Sequence, residues 1–142
     1  MRALLDVNVL IALLDTDHVH HVTAVDWFTR NVECGWASCP LTQNGCIRIM
    51  SQAGYPNPLP AVEVARRLGE AAATPYHRFW PDSTSLLDGE AVTWSRVLGP
   101  RQVTDVYLLA LAVRNAGRLV SFDRGIPLAA VPGAESRHLV TL

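Results

Sequence analysis

Lysine is missing from this chain of 142 residues, so all twelve of its basic residues are arginine. Without lysine there can be no phosphate-binding loop of the G-x-x-x-x-G-K-[ST] type. Phosphorylated receiver domains and phosphatases of the haloacid dehalogenase type also use a lysine, so both are disfavoured. The phosphatase chemistry further requires an aspartate two residues after the first one, where this chain has Asn8.

Cysteine is scarce, and no long apolar run is present. Cys34, Cys39 and Cys46 form no C-x-x-C pair, which argues against a disulfide framework or a zinc knuckle and favours a reducing cytoplasm. No stretch approaches the roughly 20 apolar residues that span a bilayer. Asp6 and Asn8 interrupt the apolar amino terminus. We therefore expect a cytoplasmic protein that is neither exported nor bound to a membrane.

Net charge is also small, because thirteen acidic residues against twelve arginines leave -1. No overall field draws such a chain to nucleic acid or to an acidic membrane, so RNA binding would depend on local arginines. Hydrophobic residues make up 49% and charged residues 18% of the chain, as in a folded globular protein. The length predicts one domain over 1–142.

Segments with the pattern of strands alternate along the chain with segments that have the pattern of helices. We expect strands at 2–5, 35–39, 118–123 and 136–142, and an irregular or short strand segment within 74–82. We expect helices at 8–14, within 15–32, and at 41–52, 61–73, 89–98 and 103–117. This order predicts an α/β fold, with a mostly parallel central β-sheet flanked by α-helices.

The strongest helical pattern covers 103–117. Thr104 is the candidate N-cap of this helix, and Gly117 stands where a C-cap is expected. Its predicted apolar face consists of Val106, Leu109, Ala110 and Val113.

Three aspartates occupy positions where catalytic or metal-binding residues are expected. Asp6 and Asp123 each follow an apolar strand directly, and Asp105 lies near the start of a helix. Functional groups gather beyond the carboxyl ends of parallel strands, so the three carboxylates are expected to converge. Taken singly, such an aspartate is most often a cap or a turn residue. Their joint placement predicts a Mg²⁺ or Mn²⁺ site and metal-assisted phosphodiester hydrolysis.

Five segments carry a resemblance to a known family. LLDVNVLIALLD, VTDVYLLALAV and RLVSFDRGI resemble the signature blocks of PIN-domain ribonucleases, most closely VapC-type toxins. DHVHHVTAVDWF and CPLTQNGCIRI resemble the blocks between them. The ordered set covers nearly the whole chain.

This resemblance implies a Mg²⁺- or Mn²⁺-dependent endoribonuclease that forms a homodimer and is inhibited by a cognate antitoxin protein. It implies that Asp6, Asp105 and Asp123 are the catalytic and metal-binding acids, with Asn8 and Ser121 in supporting positions. It does not choose among transfer, ribosomal and messenger RNA as the substrate.

One position departs from the family pattern. The family commonly has a glutamate in the helix after the second strand, and the matching residue here is Gly45. Water, Asn44 or another segment would have to replace that ligand. We therefore favour one cation held by Asp6 and Asp105, with Asp123 binding directly or through water. The alternative is a catalytically degenerate PIN-like module that binds RNA or protein.

Arginines and aromatic residues are the candidates for RNA contact. We expect Arg48 and Arg124 to bind RNA, with Arg66, Arg67 and Arg78 as further candidates. The segment YHRFW, with Tyr76, Phe79 and Trp80, is suited either to base stacking or to a protein interface.

The histidines near the amino terminus allow two interpretations. His18 and His21 are one helical turn apart, a spacing that suits metal ligands. Because no third strong ligand accompanies them, we interpret this segment as a solvated helix start.

Overall fold

A five-stranded sheet forms the centre of the computed structural model, which describes residues 1–142. The strands are β1 (Ala3–Leu5), β2 (Trp36–Ser38), β3 (His77–Phe79), β4 (Arg118–Ser121) and β5 (Leu139–Thr141). Their spatial order is β3-β2-β1-β4-β5, and every neighbouring pair is parallel. The predicted α/β fold is confirmed, and the segment 74–82 does contain a strand.

Helices cover both faces of this sheet. They are α1 (Val7–Leu14), α2 (His21–Asn31), α3 (Pro40–Met50), α4 (Ala61–Ala72) and α5 (Val103–Arg114). Short 3₁₀ turns occupy Val32–Cys34, Trp94–Arg96, Pro100–Gln102, Leu128–Ala130 and Ser136–His138. No helix combines the length and the apolar character needed to cross a membrane.

Successive side chains along each strand point to opposite faces of the sheet, so the hydrophobic core has two parts, one on each face. Leu4 and Leu119 point to the face covered by α5. Leu5 and Val120 point to the opposite face, which is covered by α1, α3 and α4. In α5, all seven residues from Val106 to Ala112 are buried, because irregular segments cover its outer side. The helix therefore has no single apolar face, unlike our expectation.

The predicted helix at 89–98 is wrong, since only the 3₁₀ turn Trp94–Arg96 forms there. Asp88 Oδ1 accepts a hydrogen bond from the backbone N–H of Glu90 at 2.9 Å, which favours a turn over a helix. Thr93 is extended, and its N–H donates to the carbonyl of Ala130 at 2.8 Å. Tertiary hydrogen bonding therefore overrides the apolar spacing.

The predicted N-cap of α5 is also wrong. The turn Pro100–Gln102 leads directly into the helix, so Gln102 occupies the N-cap position and Thr104 is the second helical residue. The preceding turn takes the place of a side-chain cap.

Gly117 lies beyond the C-cap of α5, which is Asn115. The left-handed residue at this end is Ala116, with φ 51°. Gly117 closes the turn, since its N–H donates to the carbonyl of Ala112 at 2.9 Å. A Cβ atom at Gly117 would lie 2.5 Å from the Trp80 ring. The need for glycine here is therefore one of space rather than of φ.

Two helical glycines differ in their surroundings, and they predict opposite effects of the same substitution. A Cβ atom at Gly69 in α4 would meet no atom within 4 Å, whereas one at Gly45 in α3 would lie 2.6 Å from Val7 Cγ2. We expect Gly69→Ala to raise the free energy of unfolding by about 0.5–1 kcal/mol through helix propensity. We expect Gly45→Ala to lower it by roughly 1–3 kcal/mol through overpacking.

Urea unfolding of both variants beside the wild-type protein measures this difference. Val7→Ala in the Gly45→Ala background should restore part of the loss. Equal effects of the two glycine substitutions would show that α1 and α3 are not in close contact.

Candidate active site

Asp6 sits at the junction of β1 and α1 and is 5% exposed. It is the N-cap residue of α1, and its Oδ1 accepts a hydrogen bond from the N–H of Val7 at 2.6 Å. Its Oδ2 accepts a hydrogen bond from the hydroxyl of Ser121 at 2.5 Å. Both oxygens therefore have fixed directions within the fold.

The hydroxyl of Ser121 connects the ends of the two central strands. While donating to Asp6, its Oγ accepts hydrogen bonds from Asn8 Nδ2 at 3.1 Å and from the N–H of Asp123 at 3.0 Å. Asn8 Oδ1 in turn accepts from the N–H of Phe122 at 3.2 Å. A serine hydroxyl can donate one hydrogen bond and accept two, so the full hydrogen-bonding capacity of Ser121 is used here. Ser121 and Asn8 thus hold the loop that carries Asp123 against Asp6.

Asp123 lies on the exposed loop after β4. Its Oδ1 accepts a hydrogen bond from the N–H of Gly125 at 2.7 Å. Gln102 Nε2 donates to the carbonyl of Gly125 at 2.9 Å, and Gln102 Oε1 accepts from the N–H of Leu98 at 2.8 Å. Gln102 therefore joins the Asp123 loop to the start of α5. The sequence did not predict a role for Gln102, because its only signal is its place before the helix that carries Asp105.

The third acid, Asp105, lies half-buried in the first turn of α5. Burial, then the negative charges of Asp6 and Asp123, raise the pKa of Asp105 to about 6. Burial also raises the pKa of Asp6, against the opposing hydrogen bonds from Ser121 and Val7. The structure therefore brings the three aspartates of the sequence prediction close enough to affect one another.

No cationic side chain compensates this negative charge. The ion pairs of the chain involve other acids, namely Asp26, Glu63, Glu70 and Glu135. Three carboxylates that repel one another without a basic partner form an environment that favours a bound cation.

The donor set fits a hard divalent cation in its chemistry. Carboxylate oxygens are the ligands that Mg²⁺ and Mn²⁺ prefer. As they stand, however, no three His, Cys, Asp or Glu side chains meet around one point in ligand geometry. The aspartates therefore supply charge and donor type without forming a finished three-ligand site.

Helix α3 adds no carboxylate to the cluster. Gly45, which matches the family's glutamate, faces Val7 so closely that a Cβ atom would lie 2.6 Å from it. Asn44 is exposed, and no hydrogen bond connects it to the aspartates. The neighbouring Gln43 donates to Ser38 Oγ at 3.0 Å.

The candidate RNA-binding arginines are placed unequally. Arg124 is exposed and directly follows Asp123, at the acidic edge. Arg48 is exposed in the last turn of α3, roughly 12 Å along the helix from its first residue. Arg66 and Arg67 pair with Glu63 on α4, and Arg78 is exposed on the edge strand β3.

The aromatic residues of YHRFW do not form one continuous exposed surface. Tyr76 is 41% and Phe79 52% exposed, at the sheet edge formed by β3 and away from β1 and β4. Trp80 is 7% exposed and packs in the α5 core, so the prediction that it takes part in base stacking or a protein interface is wrong, because its ring is not accessible. The close approach of Gly117 makes room for its ring.

The pair His18 and His21 has other hydrogen-bond partners. Nδ1 of His18 accepts from the N–H of His20 at 3.1 Å. Nδ1 of His21 lies 2.7 Å from the carbonyl oxygen of Ala12, to which the imidazole donates. These contacts fix the turn before α2, which begins at His21, and no third ligand joins the pair.

Comparison with known proteins agrees with this architecture. The PIN domain family matches residues 3–132. Ribonuclease VapC44 of Mycobacterium tuberculosis is 54% identical over 142 residues, which are 100% of both chains. Ribonuclease VapC39 of the same organism is 44% identical over 135 residues, covering 94% of this chain and 96% of that protein. Ribonuclease VapC38 is 42% identical over 125 residues, covering 87% and 86%.

The charge repulsion at Asp105 predicts a pH-dependent gain in stability for Asp105→Asn in metal-free protein. Below about pH 3 the carboxyl group is protonated in both folded and unfolded chains, so it carries no penalty. As the pH rises toward the folded-state pKa of about 6, the unfolded chain loses this proton first, and the wild type loses stability. Above pH 6, the free energy of unfolding of the asparagine variant should exceed that of the wild type by roughly 1 kcal/mol. This value is reduced to allow for the partial exposure of Asp105 to solvent.

Urea unfolding in EDTA at several pH values measures this gain. Asp26→Asn, an exposed aspartate within α2, is the control for the substitution itself. A gain for Asp105→Asn that is the same at low and neutral pH would contradict charge repulsion as its cause.

Proposed function

The chain belongs to the PIN-domain family, and from that premise we propose that it is a Mg²⁺- or Mn²⁺-dependent endoribonuclease, the toxin of a toxin–antitoxin pair. The observation that carries the proposal is the convergence of Asp6, Asp105 and Asp123 without a basic partner. The names of the relatives, Ribonuclease VapC44 and VapC39, support RNA as the substrate.

In the proposed mechanism, Asp6, Asp105 and Asp123 would hold the cation. A bound divalent cation supplies positive charge to a phosphodiester and lowers the pKa of a water molecule. The substrate phosphate would then lie at the carboxyl ends of β1 and β4, where these side chains converge.

The three aspartates differ in what each can do. Asp6 is buried and fixed by Ser121 and Val7, so it would be a preoriented ligand. Asp105, half-buried in the first turn of α5, would hold the cation from the helix side and orient a water molecule beside it. Asp123 is exposed on a loop shaped by Gly125, from which it would bind the cation directly or through water.

Protein and RNA partners form part of the proposal. We propose a homodimer that a cognate antitoxin keeps inactive. The candidate contacts for such partners are exposed apolar side chains: Val22 is 72%, Val62 77%, Leu87 93% and Leu98 87% exposed. Arg124, and more remotely Arg48, would contact the RNA backbone.

A second candidate function is a binding module without activity. The observations that favour it are Gly45, where a side chain would collide with Val7, and the absence of a finished three-ligand site. Such a module would bind RNA or protein through the same edge of the sheet and would not depend on a metal.

Cleavage of RNA by purified protein free of antitoxin tests the proposal. With Mg²⁺ or Mn²⁺ present, we expect wild-type protein to cleave total cellular RNA, and we expect EDTA to stop cleavage. Asp105→Asn should slow it by roughly 100-fold or more, because the variant loses a carboxylate ligand of the cation.

The matched control is Asp26→Asn, prepared in the same way, which should cleave like wild type. Equal cleavage by wild type and Asp105→Asn would identify a contaminating nuclease and contradict the proposal. Metal-independent RNA binding without any cleavage by the folded wild type would favour the binding module.

A further inference from the structure

The turn between α1 and α2 brings histidines to the edge of the sheet that carries the aspartates. Arg118, at the start of β4, donates to Oδ1 of Asn31, at the end of α2, at 2.9 Å. At the other end of both elements, His20 precedes α2 and contacts Phe122, which follows β4, so the helix runs antiparallel to the strand. There the imidazole of His20 stacks on the Phe122 ring, with ring centroids 4.5 Å apart and planes at 20°.

Phe122 is tied directly to the acidic cluster. Its N–H donates to Asn8 Oδ1 at 3.2 Å. Its neighbours in the chain are Ser121, which donates to Asp6, and Asp123. The hydrogen bonds that position the aspartates therefore also position the stacked rings.

The imidazole of His20 makes no polar contact within the fold. The residue is exposed, and its ring nitrogens have no hydrogen-bond partner in the chain. The backbone N–H of His20 donates to His18 Nδ1 at 3.1 Å, which fixes the turn, while the two imidazole centroids stay 5.7 Å apart. An exposed aromatic ring held flat at the edge of a candidate nuclease site presents a surface to a ligand.

We infer that His20 and Phe122 form a stacking platform for one unpaired base of the RNA strand, beside the phosphodiester at the aspartates. This inference rests on the proposed nuclease function. Net charge is -1 and the aspartates repel phosphate, so the RNA needs attractive contacts near the acids. Stacking supplies them without depending on charge or on base sequence, since every base has a flat face.

The same imidazole can also form a hydrogen bond to a phosphate oxygen of the RNA. The stacked geometry favours a base, because the ring lies flat on Phe122 and can continue the stack. Phenylalanine at position 20 keeps the flat ring and removes both nitrogens. His20→Phe therefore separates stacking from hydrogen bonding.

RNA affinity in a protein that cannot cleave tests the inference. In the Asp105→Asn background with Mg²⁺, fluorescence anisotropy measures binding of a short, unstructured, labelled RNA of mixed sequence. We expect His20→Ala to weaken binding by roughly 5- to 100-fold, the range for losing one stacked base. We expect His20→Phe to bind nearly as well as the parent protein.

Val19→Ala, at an exposed neighbour in the same turn, is the matched control and should not change affinity. Thermal unfolding of each variant shows that the fold is intact. Unchanged binding by His20→Ala, or a parent that binds no RNA, would overturn the inference. Equal weakening by His20→Phe would also overturn it, in favour of an imidazole hydrogen bond.

Cleavage by the wild type, measured separately, distinguishes the two proposals. A wild type that cleaves RNA while His20→Ala binds normally leaves the nuclease and removes the platform. Binding that depends on the ring at position 20 in a wild type without activity leaves the platform and removes the nuclease.

Discussion

The parallel pairing of β1 with β4 is the constraint on which the site depends. Its register places Leu5 opposite Val120, so the residues that follow both strands come together at one edge. The Ser121 hydroxyl then joins them, by donating to Asp6 at 2.5 Å and accepting from Asn8 and Asp123. Without this bond Asp6 would be a buried carboxylate that only the N–H of Val7 satisfies.

The acidic cluster opposes the stability of the fold that holds it. Buried, mutually repelling carboxylates with raised pKa values cost folding free energy at neutral pH. Apolar packing on both faces of the sheet offsets this cost, most densely in α5, whose residues Val106–Ala112 are all buried. Conflict of this kind between local charge and global stability is typical of functional sites.

The sequence predicted the sheet and the aspartates because both depend on short, local patterns. An apolar strand that ends in Asp6 or Asp123 shows directly which residues reach the carboxyl edge. The helix expected at 89–98 failed because the hydrogen bond from Thr93 to Ala130 is tertiary, and no local pattern encodes it.

Features that depend on contacts between distant segments could not be predicted from the sequence for the same reason. Gln102 touches the Asp123 loop across 23 residues, and His20 reaches Phe122 only because α2 runs back along β4. Gly45 was recognisable as a departure from the family, but its contact with Val7 needed the packing of α1 against α3. Steric exclusion at a helical position leaves no trace in the sequence beyond the glycine itself.

The most direct measurement is Mn²⁺ binding by calorimetric titration of the wild type, Asp6→Asn and Asp26→Asn. If the aspartates form one cation site, wild type and Asp26→Asn should bind alike, and Asp6→Asn should bind at least roughly 10-fold more weakly, as a lost ligand requires. Equal Mn²⁺ binding by wild type and Asp6→Asn would contradict a cation site at the carboxyl ends of β1 and β4.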